Sequence, residues 1–518
     1  MRRVEDQAFS RTKRSLPGRS VHCFLPQTQV EFSMKKSLFT LLVAAVALTT
    51  IAASARADVS LPKCFSDNGV FQREKPICVW GWADPGEEVT VSFNGMSATT
   101  TACEHGNWKV SLPSQEASFE GKDLVVKGKN TITFTNILVG EVWICSGQSN
   151  MEMPLNSWGQ PRLACTEEEI SGDYSFIRFN RPNHVITEEE LKDVATEGWK
   201  VCKDGVQANC TACGFHFALR LYNELNVPVG LIDSNWGGSN INSWIPDAGW
   251  NQVPETVEVG QKLIAARPEA KDWDKCGGMY NAMLAPWKGY NFRGAIWYQG
   301  CTNAGEHEFY YYKQKAMIRE WRKIFENGDF PFYWVQLAPF TDPKDDPNDT
   351  GDWPYLRNGQ TMCMEVANTG QAVIIDAGEI KDIHPRNKWI VGNRLALWAL
   401  ANAYGKNVEC CSPMVATADF ADGKVALTFN HVGEGLVAGK LNDRTFEKTG
   451  DQLNRFAIAG ADGKFVWAKA EIVAPNKVVV SAEGVDPTAV RYAWQMFPEN
   501  CNLYSSEGLP ATPFEIKK

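Results

Sequence analysis

A serine hydroxyl becomes a nucleophile only when a base stands within hydrogen-bond reach and the hydroxyl itself is held at an exposed turn. The run at 141–151, Glu-Val-Trp-Ile-Cys-Ser-Gly-Gln-Ser-Asn-Met, is an apolar strand passing into a small polar turn. Ser149 falls where the carboxyl end of a parallel strand would present it, the usual place for chemistry in open parallel sheets. The turn is not a G-x-S-x-G elbow, since Asn150 and Met151 follow Ser149. By itself such a serine suits a turn or a helix N-cap equally well. A base is at hand in His384, one of seven histidines, which lies in the polar loop Glu379-Ile380-Lys381-Asp382-Ile383-His384-Pro385 after another apolar run. Asp382 and Glu379 lie close enough in that loop to orient the ring, and Asp376 opens it. Two further strand ends carry groups suited to holding an oxyanion. Asn235-Trp236-Gly237-Gly238-Ser239 offers backbone N–H groups that paired glycines let a ligand approach, and Gln299-Gly300-Cys301-Thr302-Asn303 offers a side-chain N–H at Asn303.

These four fragments need a scaffold that gathers strand ends. From about 138 to 408 apolar runs alternate with longer amphipathic stretches. Runs at 227–232, 294–298, 332–337 and 372–375 read as buried strands, and stretches at 215–225, 310–325 and 389–404 as helices. That alternation predicts a parallel sheet covered by helices on both faces. Before it, residues 58–137 show short alternating runs broken by Asp84-Pro85-Gly86 and Asn94-Gly95, the spacing of a small β-sandwich. After it, residues 409–518 return to short strands, a second β domain.

The composition agrees with a globular enzyme. The 518 residues are 44% hydrophobic, carry a formal charge of −9 and include 19 Trp and 26 Phe, which excludes disorder for most of the chain. Net acidity argues against nucleic acid or an anionic membrane surface as the partner. The tryptophans point weakly toward carbohydrate, whose rings stack on indoles. Residues 34–57, MKKSLFTLLVAAVALTTIAASARA, have the basic start, apolar stretch and A-x-A end of a secretory signal peptide. Residues 1–33 then read as an over-extended start, and the exported product as periplasmic or secreted, with no membrane attachment after cleavage. Disulfides are permitted there, but the 15 cysteines give no framework, and Cys210-Thr-Ala-Cys213 has no matching second pair for zinc.

Ser, Gly, Asn and His at successive strand ends resemble the SGNH hydrolase superfamily, and more closely its sialate O-acetylesterase family. The strings that carry the likeness are Cys145-Ser146-Gly147-Gln148-Ser149-Asn150-Met151-Glu152, Trp236-Gly237-Gly238-Ser239, Trp297-Tyr298-Gln299-Gly300-Cys301-Thr302-Asn303-Ala304 and Asp382-Ile383-His384-Pro385. Val79-Trp80-Gly81-Trp82-Ala83 and Glu507-Gly508-Leu509-Pro510 extend it over nearly all of residues 60–515. The resemblance implies a three-layer α/β hydrolase domain flanked by two β domains, and an esterase that takes O-acetyl groups from sugars, sialic acids first. It makes Ser149 the nucleophile and His384 the base, with Ser149 N–H, Gly238 N–H and Asn303 as oxyanion donors and no metal or cofactor. Two departures stand out. Family members usually have Glu-Ser-Asn where this chain has Cys301-Thr302-Asn303, and the superfamily's usual aspartate position, three before the histidine, is Lys381. Asp382 is therefore the expected third member, with Glu379 or no acid as alternatives. Acetylated plant polysaccharide such as xylan is the alternative substrate. A carbohydrate-binding protein on an inactive hydrolase scaffold is the alternative of another class, opposed by the presence of both Ser149 and His384.

Overall fold

The computed structural model describes residues 58–160 and 165–518, so the expected signal peptide and the expected over-extended start lie outside the described residues. The main sheet contains β1 (Thr131–Gly147), β2 (Tyr174–Pro182), β3 (Thr196–Cys202), β4 (Val229–Asn235), β5 (Gly294–Tyr298), β6 (Phe332–Val335) and β7 (Thr369–Ala372). Their order is β7-β6-β5-β1-β4-β2-β3, parallel throughout except for β3 at the edge. Every residue of β4, β5 and β6 is buried, as the uninterrupted apolar runs require of strands covered on both faces. After β1 the chain lays β2, β3 and then β4 on one side, β4 inserting next to β1, and then β5, β6 and β7 on the other. Right-handed crossovers in those two directions put helices on both faces and open a crevice at the carboxyl end of β1. This is the α/β SGNH-like fold.

Helices α1 (Ala212–Leu225), α2 (His307–Phe325) and α3 (Lys388–Trp398) cover the sheet, with α1 packed on α3. Each starts and stops for a local reason. The Thr211 hydroxyl accepts the Gly214 N–H at the head of α1, and Asn226 ends it in the left-handed conformation. The Asn387 side chain accepts the Ile390 N–H at 3.2 Å and so fixes where the histidine loop ends and α3 begins. The helix expected over 389–404 is α3 continued by one wider turn, Ala399–Ala403. The strand expected at 372–375 lies earlier, at Thr369–Ala372. Gln336 N–H takes the Ala372 carbonyl, and Val373 and Ile375 then turn their side chains into the core of the C-terminal β region.

The expected division at 137/138 falls inside β1. Its first half pairs antiparallel with Ser118–Lys127 of the N-terminal β region, and its second half, buried from Ile137 onward, is the middle of the main sheet. One hydrophobic core runs from Val59 to Cys411, and residues 58–518 pack as one compact unit. The C-terminal strands between Met414 and Lys517 form small antiparallel sheets around a second core. No helix among the described residues is long and apolar enough to cross a membrane.

The exit of β1 is tightly packed. Gly147 has φ +136°, and a Cβ there would stand 2.2 Å from the Tyr298 carbonyl oxygen on β5. Gly147→Ala is therefore expected to destabilise the protein by about 2–4 kcal/mol, since backbone must move to admit one methyl. Urea unfolding of the variant beside the parent measures this, and an unchanged midpoint would contradict it.

Candidate active site

Gln148 N–H donates to the Tyr298 carbonyl at 3.0 Å, so the turn after β1 is fastened to the end of β5. Ser149 then opens the short helix Ser149–Glu152, and Glu152 reaches across to accept the Gly237 N–H at 2.5 Å from the loop after β4. Gly237 consequently lies against the nucleophile turn, where a Cβ would sit 3.3 Å from Ser149 Cβ. Gly238 follows at φ +73° with open space where its side chain would be. Neither the Ser149 nor the Gly238 N–H donates to a protein acceptor among the described residues. Three strand ends are thus tied into one rim.

His384 arrives from the loop between β7 and α3. Its Nε2 lies 2.8 Å from Ser149 Oγ and its Nδ1 2.9 Å from Asp382 Oδ1. The same Asp382 oxygen accepts the His384 backbone N–H at 2.9 Å, so capping the turn and orienting the ring are one interaction. With Nδ1–H given to a carboxylate, Nε2 carries the lone pair that faces the serine hydroxyl. The other two acids of the loop are committed elsewhere. Glu379 pairs with Arg386 at 2.9 Å, and Asp376 pairs with Arg394 at 2.6 Å and accepts the Tyr504 hydroxyl at 3.1 Å.

The Asn303 carboxamide is fully engaged within the protein. It is fully buried, its Oδ1 accepts the Ile241 N–H at 3.1 Å and Gln299 Nε2 at 2.7 Å, and its Nδ2 donates to Asn240 Oδ1 and Glu306 Oε2, both at 2.8 Å. A backbone donor on one side and a carboxylate on the other fix the orientation of the amide, and both of its N–H groups are spent. Asn303 was expected as an oxyanion donor; in this structure its carboxamide braces the segment after Gly238 against the end of β5. The backbone N–H groups of Ser149 and Gly238 remain available.

A second buried group was not legible as functional. Asn150 Nδ2 donates to the Ile383 carbonyl at 3.0 Å, and its Oδ1 accepts the ammonium of Lys388, which is 2% exposed and lies 5.2 Å over the Tyr298 ring. Among the described residues Lys388 has no carboxylate in ion-pair contact, and burial pushes its pKa down to about 8. Cys301, at the first departure from the family pattern, is near the same ammonium, its thiol pushed up to about 12 by burial. A signal existed: Lys388, Val391, Gly392 and Leu395 share one helical face by spacing, and all four are buried.

Burial holds His384 below the ordinary imidazole pKa of 6.5; Asp382 and Glu152 pull it upward and Lys388 adds to the lowering. A poised base of this kind is deprotonated at neutral pH and can take the serine proton. Serine, imidazole and carboxylate in one hydrogen-bonded chain, beside backbone N–H groups at the crevice of an SGNH-like fold, have the geometry that acyl transfer by a serine esterase requires.

Comparison with known proteins narrows that class. Residues 139–382 match the family model described as carbohydrate esterase, sialic acid-specific acetylesterase. The chain is 33% identical to a carbohydrate acetylesterase from Xanthomonas citri, covering 89% of this chain and 100% of that one, with a TM-score of 0.79. It is 28% identical to the sialate O-acetylesterase of Homo sapiens over 498 residues, 87% of this chain and 91% of the human protein. The Mus musculus enzyme is similar to the same degree, 28% over 518 residues, 87% of this chain and 93% of that one. The chain belongs to the sialate O-acetylesterase family of carbohydrate esterases, and an enzyme of this family acts on an O-acetylated sugar.

Two measurements check the site. Hydrolysis of a small ester is expected to rise with pH through an inflection below 6.5, because the deprotonated imidazole is the active form and its pKa is lowered. Lys388→Met moves that inflection upward by removing a neighbouring positive charge. A parent inflection above 6.5, or a downward move in the variant, would contradict the electrostatics. Asn303→Ala is expected to lose about 1–3 kcal/mol of stability along with activity, since it strands the Ile241 N–H and the Gln299 amide. Loss of kcat at full thermal stability would restore Asn303 to the oxyanion role.

Proposed function

We propose that this protein removes O-acetyl groups from sialic acids by a serine nucleophile mechanism, as an exported enzyme. Ser149 Oγ attacks the acetyl carbonyl while His384 Nε2 takes its proton. Asp382 keeps Nδ1–H in place and stabilises the imidazolium that forms. The tetrahedral oxyanion is held by the Ser149 and Gly238 N–H groups, each contributing about 3–4 kcal/mol. His384 then returns the proton to the leaving sugar oxygen, which frees the sugar and leaves acetyl on Ser149. A water activated by the same imidazole attacks that ester, releasing acetate and restoring the serine.

The observation that carries this reading is the unbroken chain from Ser149 Oγ through His384 to Asp382 at 2.8 and 2.9 Å. The substrate class rests on the family description and on the names of the human and mouse relatives. Export rests on residues 34–57, whose pattern is that of a cleaved leader.

Acetate release from O-acetylated sialic acid, with acetylated xylan in parallel, tests the substrate assignment; turnover of xylan alone would favour the plant-polysaccharide reading. In the same assay Asp382→Asn is expected to lower kcat by about 100-fold or more, because the imidazolium loses its stabilising carboxylate. Glu379→Gln is expected to cost far less, since Glu379 serves Arg386. Equal small effects would point to a Ser149–His384 dyad.

A further inference from the structure

A single exposed tryptophan on a protein surface needs no explanation, but two facts set Trp158 apart. Its indole is 46% exposed and packs edge-to-face on the His384 ring, with centroids 5.5 Å apart and planes at 85°. Its backbone is also strained: Ser157 and Trp158 are consecutive non-glycine residues at φ +50° and +52°, a region in which each side chain is disfavoured. The surrounding turn enforces this. Leu155 N–H donates to the Cys210 carbonyl and Asn156 N–H to that of Ala208, both at 3.1 Å, while the Asn156 side chain accepts the Trp158 N–H at 3.0 Å. Leu155 and Ser157, just before Trp158, are buried. A well-anchored turn thus holds a large apolar ring out of the core and beside the catalytic base.

The chemistry says what must lie there. His384 Nε2 protonates the leaving alcohol oxygen, so the alcohol side of the ester borders the histidine. The acetyl oxygen instead borders the backbone N–H groups at Ser149 and Gly238. A ring packed on His384 therefore faces the sugar. We propose that Trp158 is the stacking platform for the sugar moiety, its indole face meeting the C–H face of the leaving carbohydrate, and that it sets the preference for sugar esters over simple alkyl esters. This rests on the serine esterase reading above.

The test is kinetic, on the full chain, with glucose pentaacetate and an O-acetylated N-acetylneuraminic acid as sugar esters and ethyl acetate as the alkyl ester. Trp158→Ala is expected to lower the ratio of kcat/KM for each sugar ester to that for ethyl acetate by about tenfold, the scale of one aromatic contact. Most of the change is expected in KM, and Trp158→Phe should restore much of the ratio. Trp158→Gly, which removes the left-handed strain at that residue, keeps the experiment sound should the alanine variant fold poorly. An unchanged ratio would overturn the platform. So would an equal fall on all three esters, which would mean that Trp158 acts through His384 alone. A parent that cleaves ethyl acetate but neither sugar ester would overturn the functional reading and the platform with it, whereas turnover of glucose pentaacetate without the sialic acid ester overturns only the substrate assignment.

Discussion

Ser149 and His384 stand 235 residues apart in sequence and must meet within one hydrogen bond, and the buried side chain of Asn150 is what joins their two loops. It follows Ser149 directly, donates to the carbonyl of Ile383 just before His384, and accepts the ammonium of Lys388 at the head of α3. The clamp fixes the histidine loop from both ends of its short span. Its cost is a buried lysine, which is tolerated only where the surroundings compensate: the Tyr298 ring lies beneath the ammonium and the Asn150 carboxamide faces it. Buried charge of this kind concentrates where geometry must be held rather than where stability is gained.

Selection among the acids follows from the same geometry. Three carboxylates, Asp376, Glu379 and Asp382, share one loop, and arginines at 394 and 386 take the first two. Asp382 is left for the ring, close enough in sequence that one oxygen serves both the His384 backbone and Nδ1. The departure at Lys381 from the superfamily spacing is thus accommodated by a tight turn, and the hydrogen-bonded chain from Ser149 through His384 to Asp382 is unbroken.

Much of this was legible in the sequence. Ser149, Gly238 and His384 each follow an apolar run, and the carboxyl ends of parallel strands are where such a fold gathers its chemistry. The contact of Asp382 with the His384 ring was legible from proximity. The bracing role of Asn303 was not legible, because the direction of its carboxamide depends on Asn240 and Ile241, some sixty residues away, as well as on nearby Glu306, and no local pattern reports that its N–H groups are spent. The division at 137/138 read a change of pattern within one strand as a break between domains, because β1 alternates while paired at the surface and becomes uniformly apolar once it enters the main sheet. The left-handed turn under Trp158 is imposed by hydrogen bonds to residues 208 and 210, which local residue preference does not encode.

The central claim is that Ser149 is made nucleophilic by His384. Labelling with a fluorophosphonate, followed by mass spectrometry of the digested protein, reads this directly. The account predicts a single adduct on the Ser149 peptide that disappears in His384→Ala while the variant keeps its fold. An adduct on another serine, or undiminished labelling of Ser149 without His384, would contradict it.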